Sequence, residues 1–73
     1  MMEVRELVEE IVKALGYRDV RVRHHGDIAR IELGAGEAVD VEKLRKTILK
    51  IKALGFRFVA LDLEGYRMGS LNE

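Results

Sequence analysis

A chain of 73 residues, 48% of them apolar, has enough hydrophobic content for one globular domain spanning 1–73, which argues against a disordered chain. Its 13 basic and 13 acidic residues cancel, so no net field draws it to nucleic acid or an anionic membrane, and the absence of cysteine excludes disulfides, thiolate metal sites and a cysteine nucleophile. No apolar run approaches the roughly 20 residues of a spanning helix and no signal core opens the chain, so a cytoplasmic location is expected.

A domain this small buries only about 60% of its unfolded surface. Without disulfide or metal staples it is expected to lean on a partner surface, and a homo-oligomer is the simplest form of that expectation. The charged fraction of 36% in a chain without cysteine would suit a thermophile.

In chain order, Val4, Leu7, Val8, Ile11, Val12 and Leu15 form one apolar stripe at helical spacing, with Glu3, Glu6, Glu9, Glu10 and Lys13 off it. The acids crowd the end that the helix dipole favours, and Glu9–Lys13 is an i,i+4 pair of the kind found on exposed helix surfaces. Gly16 is the expected stop. Residues 19–25 then alternate, Val20, Val22 and His24 against Arg21, Arg23 and His25. After the Gly26-Asp27 turn, Ala29, Ile31 and Leu33 alternate with Ile28, Arg30 and Glu32. This is a hairpin with one aliphatic and one charged face.

Asp40 is the expected N-cap of a second helix whose stripe is Val41, Leu44, Ile48, Ile51 and Leu54, bordered by Thr47 and stopped by Gly55. A third strand is expected over 56–63, with Phe56, Phe58 and Ala60 on one side and Val59, Leu61 and Leu63 on the other. Apolar on both faces, it predicts cover on both, one side by the helices and the other by a second chain. The fold class is therefore α+β: an α-β-β-α-β two-layer sandwich, a ferredoxin-like half with two helices on one face. The expected sheet is three-stranded with antiparallel neighbours in the order 2-1-3, and a short fourth strand could follow.

Three groups of residues suggest chemistry. Arg21, Arg23, Arg30, Glu32 and His25 project from the open face of the hairpin. Arginines two apart on a strand stand about 7 Å from each other, close enough to grip one phosphate or carboxylate. Glu32 would pair with an arginine or ligate a divalent cation, and the competing reading is a solvated face of cross-strand ion pairs. His24 and His25 point to opposite sides, so they form no joint metal site: His24 is expected to pack or cap at the strand end and His25 to face solvent. In the tail, Asp62, Glu64, Tyr66, Arg67 and Ser70 lie among Gly65 and Gly69, either as an anion or cation site or as a loop closing the sheet. The open face lacks the stacking aromatics of an RNA-reading sheet, which argues against nucleic acid a second time.

The segments Arg21-Val22-Arg23-His24-His25-Gly26-Asp27-Ile28-Ala29-Arg30-Ile31-Glu32 and Gly55-Phe56-Arg57-Phe58-Val59-Ala60-Leu61-Asp62-Leu63-Glu64-Gly65-Tyr66-Arg67-Met68-Gly69-Ser70-Leu71-Asn72-Glu73 resemble the C-terminal domain of the LarE-type ATP-dependent sacrificial sulfur transferases. These belong to the PP-loop (N-type ATP pyrophosphatase) superfamily. The resemblance implies a domain that serves oligomer assembly and lends charged residues to a site. It matches Arg21 and Arg23 to an arginine pair near bound phosphate, and Glu9, Glu32 and Asp40 to acids that handle metal or substrate. The family's Ser-Gly-Gly-x-Asp-Ser loop and sacrificed cysteine do not occur in these 73 residues. A non-catalytic binding and assembly module is therefore expected, self-associating or completing a separate PP-loop ATPase, with phosphate, nucleotide or a divalent cation as ligand. The alternative is a small-molecule or metal-binding enzyme or sensor whose site lies between subunits.

Overall fold

The computed structural model describes residues 1–66. Its elements are α1 (Val4–Lys13), β1 (Val20–His25), β2 (Ile28–Leu33), α2 (Val41–Arg45), α3 (Ile48–Lys52) and β3 (Phe58–Leu61). This is the α+β sandwich expected, with one three-stranded sheet and its helices on one side. The core is aliphatic, as the composition requires: Val8 and Val12 of α1, Val20 and Val22 of β1, Ala29, Ile31 and Leu33 of β2 and Ile51 of α3 are buried together. Val8, Val12, Ala29 and Ile51 are fully enclosed. Each such valine or isoleucine contributes about 1.5–3 kcal/mol by leaving water.

The strand order differs from expectation. The sheet runs β1-β2-β3, with β1 and β2 antiparallel but β2 and β3 parallel. The direction of β3 is the expected one; its neighbour is not. The outer edge of β1 is already occupied, because Glu9 of α1 accepts the outward N–H of Val22 at 2.9 Å. A strand docking there would have to displace a carboxylate. β3 instead joins the open edge of β2, where the N–H groups of Arg57 and Phe58 donate to Asp27 O and that of Asp62 donates to Ile31 O.

The second helix is also broken. Thr47 donates both its hydroxyl, at 2.7 Å, and its N–H, at 3.0 Å, to Leu44 O. That three-residue bonding tightens the chain and ends α2 before α3 begins. Most of the stripe survives the break, with Leu44 and Ile51 buried and Ile48 and Leu54 half-buried, but Val41 at its start is exposed.

β3 is four residues rather than eight, and its two sides are unequal. Val59 and Leu61 pack against the core, whereas Phe58 on the other side is 57% exposed; Leu63, expected beside Val59 and Leu61, lies past the strand and is 90% exposed. Phe56 leaves the side expected of it. It precedes the strand, turns into the core, and meets the His24 ring edge-on at 4.8 Å. Of the proposed fourth strand, the described residues hold a single parallel bridge, Tyr66 to Gly34, which prolongs the β2–β3 edge.

Candidate functional site: an arginine face on the open sheet

Alternation along β1 and β2 places Arg21, Arg23, Arg30 and Glu32 on the sheet face away from the helices, as expected from the period of two. The register sets Arg21 opposite Glu32 and Arg23 opposite Arg30. Two like charges directly opposed are destabilising, and Glu32 resolves the conflict. Its Oε1 accepts from Arg23 Nε at 3.2 Å and its Oε2 from Arg30 Nη2 at 3.0 Å. Glu32 is buried although it lies on the open face, under the guanidinium groups it holds. On the far side Arg30 Nε is buried without a hydrogen bond, and Asp62 Oδ2 lies 3.8 Å from it.

Arg21 behaves differently. Its cross-strand neighbour is Glu32, but that carboxylate is committed to the other two arginines. Arg21 turns instead to Tyr66: its guanidinium carbon lies 4.5 Å from the ring centroid, and Nη2 donates to the phenol oxygen at 3.3 Å. A cation over an exposed aromatic ring gains about 0.5–1 kcal/mol and loses none of its charge. Arg23 and Arg30 thus share two carboxylates, Glu32 and Asp62, whereas among the described residues Arg21 has no carboxylate within salt-bridge distance. Each guanidinium has five N–H groups, and Arg21 and Arg23 each commit one to the contacts above. Their remaining donors suit a tetrahedral or planar oxyanion.

The other acids matched by the family resemblance lie elsewhere. Glu9 is on the helix side, where it holds Val22 N–H and pairs with Arg5 at 3.4 Å rather than with Lys13. Asp40 caps α2, accepting Lys43 N–H at 3.2 Å, and its own N–H donates to the buried Tyr17 hydroxyl at 3.0 Å. Among the described residues no three His, Asp or Glu side chains converge as a metal site, and Glu9, Glu32 and Asp40 lie on different elements. His24, at the strand end, packs on the buried Phe56 and lies 3.1 Å from Gly26 O, as expected of a packing or capping residue, although it stays exposed; His25 is exposed. Of the tail site, Asp62 Oδ1 accepts Glu64 N–H at 3.0 Å in a tight turn and Glu64 is exposed; Arg67 and Ser70 lie outside the described residues.

Two contacts that shape the site are not read from the sequence. Glu37 accepts the N–H groups of Arg18 and Asp19 at 3.1 and 2.7 Å, which fixes the entry to β1. Tyr66 reaches Arg21 across 45 positions of chain. An apolar groove of about 210 Å³ lies on the opposite side of β3, lined by Val41, Leu44, Ile48, Val59 and Leu61 among others. No helix among the described residues is long and apolar enough to cross a membrane.

No family model matches the chain. Over 66 residues, 89% of its length, it is 42% identical to the pyridinium-3,5-bisthiocarboxylic acid mononucleotide synthase of Lactiplantibacillus plantarum, of which it covers 24%. It is 40% identical over 67 residues to an uncharacterised protein of Synechocystis, covering 88% of this chain and 25% of that one. The chain thus spans about a quarter of the length of the curated relatives it matches. At such identity over nearly the whole domain, this chain is a homologue of one segment of the LarE-type synthases.

Proposed function

We propose that this chain is a non-catalytic binding and assembly module that holds an anion (phosphate, the phosphate of a nucleotide, or a carboxylate) on Arg21 and Arg23. The observation that carries the reading is the guanidinium of Arg21, without a carboxylate partner among the described residues, beside Arg23 on one strand face, both held by neighbours and both with donors to spare. Homology to one segment of a mononucleotide synthase supports the ligand class. The module self-associates, or completes the site of a PP-loop ATPase domain on another polypeptide. Exposed Phe58 and its cross-strand neighbour Ile28, next to the arginine rows, supply the apolar contact for that docking. Adenylation and sulfur transfer by the family route need a PP-loop and a cysteine, neither of which is among these residues. An enzyme or sensor with its own pocket is less well supported. The apolar groove is smaller than the 300–1,000 Å³ typical of ligand pockets and is not on the arginine face.

The test is titration of the chain with inorganic phosphate and with AMP, followed in amide and arginine side-chain NMR spectra. Shifts should concentrate on Arg21 and Arg23 and vanish in the Arg21→Ala/Arg23→Ala double variant. Equal binding by that variant would refute the site.

A further inference from the structure

We propose that Tyr66 is the positioning residue of the arginine site, holding the Arg21 guanidinium in a gripping pose before any anion arrives; this rests on the anion-binding reading above. An arginine on an exposed strand ordinarily samples many rotamers and must be ordered when it binds, which weakens binding. Here the two arginines are ordered in advance by different devices: Glu32 fixes Arg23 by its Nε, and Tyr66 fixes Arg21 by ring stacking and one Nη2 hydrogen bond. Only the first costs charge. A carboxylate in place of Tyr66 would order Arg21 equally well but neutralise it, and the site would lose its excess positive charge.

The chain puts unusual effort into placing this ring. After β3, Asp62 makes a side-chain turn onto Glu64 N–H, and Gly65 N–H donates to Asp62 O at 3.0 Å. Gly65 adopts φ +75°, and a Cβ there would collide with Leu33 O. That close approach lets Tyr66 N–H donate to Leu33 O at 2.9 Å and form its bridge with Gly34. Gly34 is itself packed so tightly on the Asp19 side chain that a Cβ has no room. The backbone of Tyr66 is therefore pinned at the end of β2, beside the row that holds Glu32 and Arg21, and its side chain is only half-buried. A half-buried ring adds little to the core; what it contacts is Arg21.

The experiment compares the full chain with Tyr66→Phe and Tyr66→Ala, reading arginine Nε–Hε and Hδ signals and the affinity for inorganic phosphate. In the native chain the Arg21 signals should carry a ring-current shift, retained in Tyr66→Phe and lost in Tyr66→Ala. Phosphate affinity should fall about two- to fivefold in Tyr66→Ala, the scale of one exposed cation–π contact, and be largely retained in Tyr66→Phe. Amide spectra of all three should stay dispersed, since the bridge uses the backbone of residue 66. If the native chain binds phosphate and Tyr66→Ala binds it equally well, the positioning role is overturned. If the native chain binds no phosphate, the anion reading falls and this proposal with it, and the native titration alone reveals that case.

Discussion

Removing Glu32 should destabilise the domain far more than removing an ordinary surface acid. Its side chain is 7% exposed, whereas those of Arg23 and Arg30 are 37% and 39% exposed. Breaking a fully buried ion pair costs about 3–5 kcal/mol, and an exposed one about 0.2–1 kcal/mol. The present case lies between, since the arginine ends can rehydrate but are left facing each other across the ladder. We expect Glu32→Ala to cost about 2 kcal/mol through two lost charge-assisted bonds and the restored Arg23–Arg30 repulsion. For a domain of this size that lowers Tm by on the order of 10 °C. Thermal unfolding followed by circular dichroism in low and high salt is the assay, with Glu32→Gln as the near-isosteric control. In the Arg23→Ala/Arg30→Ala background the same substitution should cost much less, because its partners are gone. An equal cost in both backgrounds, or a drop in Tm of only about 2 °C, well short of that scale, would refute the reasoning.

Other substitutions probe the remaining links. Ile51→Ala empties a fully enclosed position and should cost about 2–5 kcal/mol, most of the stability of so small a domain, measurable by urea unfolding. Gly65→Ala forces a side chain into left-handed backbone and onto Leu33 O; it should cost about 1–3 kcal/mol and remove hydrogen-exchange protection at Tyr66 N–H while that of Ile51 persists. Glu9→Ala strips the acceptor from Val22 N–H, so that amide should exchange faster, stability should fall by about 1 kcal/mol, and the uncovered β1 edge should promote concentration-dependent association.

How far the sequence reveals this molecule depends on the range of the forces involved. The α1 stripe and the two alternating strands are local patterns of burial, and Val8, Val12, Val22, Ala29 and Ile31 lie where their periodicity puts them. The shared face of Arg21, Arg23, Arg30 and Glu32 follows from the same period of two. Strand neighbour choice is not local. It depends on Glu9 having already taken the β1 edge, a contact between a helix and a strand that no spacing rule announces. The spacing predicts one continuous helix past Thr47, and the break there comes from the Thr47 hydroxyl bonding Leu44 O, which apolar periodicity does not register. Phe56 looked like a strand residue by alternation, and the buried place beside His24 overrode it. The roles of Glu32 and Tyr66 depend on register and on the Gly65 approach, both set only once the sheet has formed.

Whether the module works by association is decided by native mass spectrometry of the purified chain at micromolar concentration. It should be measured alone and mixed with a PP-loop ATPase domain lacking its own counterpart of this segment, with and without AMP. A discrete homo-oligomer or a stoichiometric complex is expected, retained with AMP and lost when Phe58 is replaced by a charged residue. A chain that stays monomeric in every mixture would contradict the assembly role.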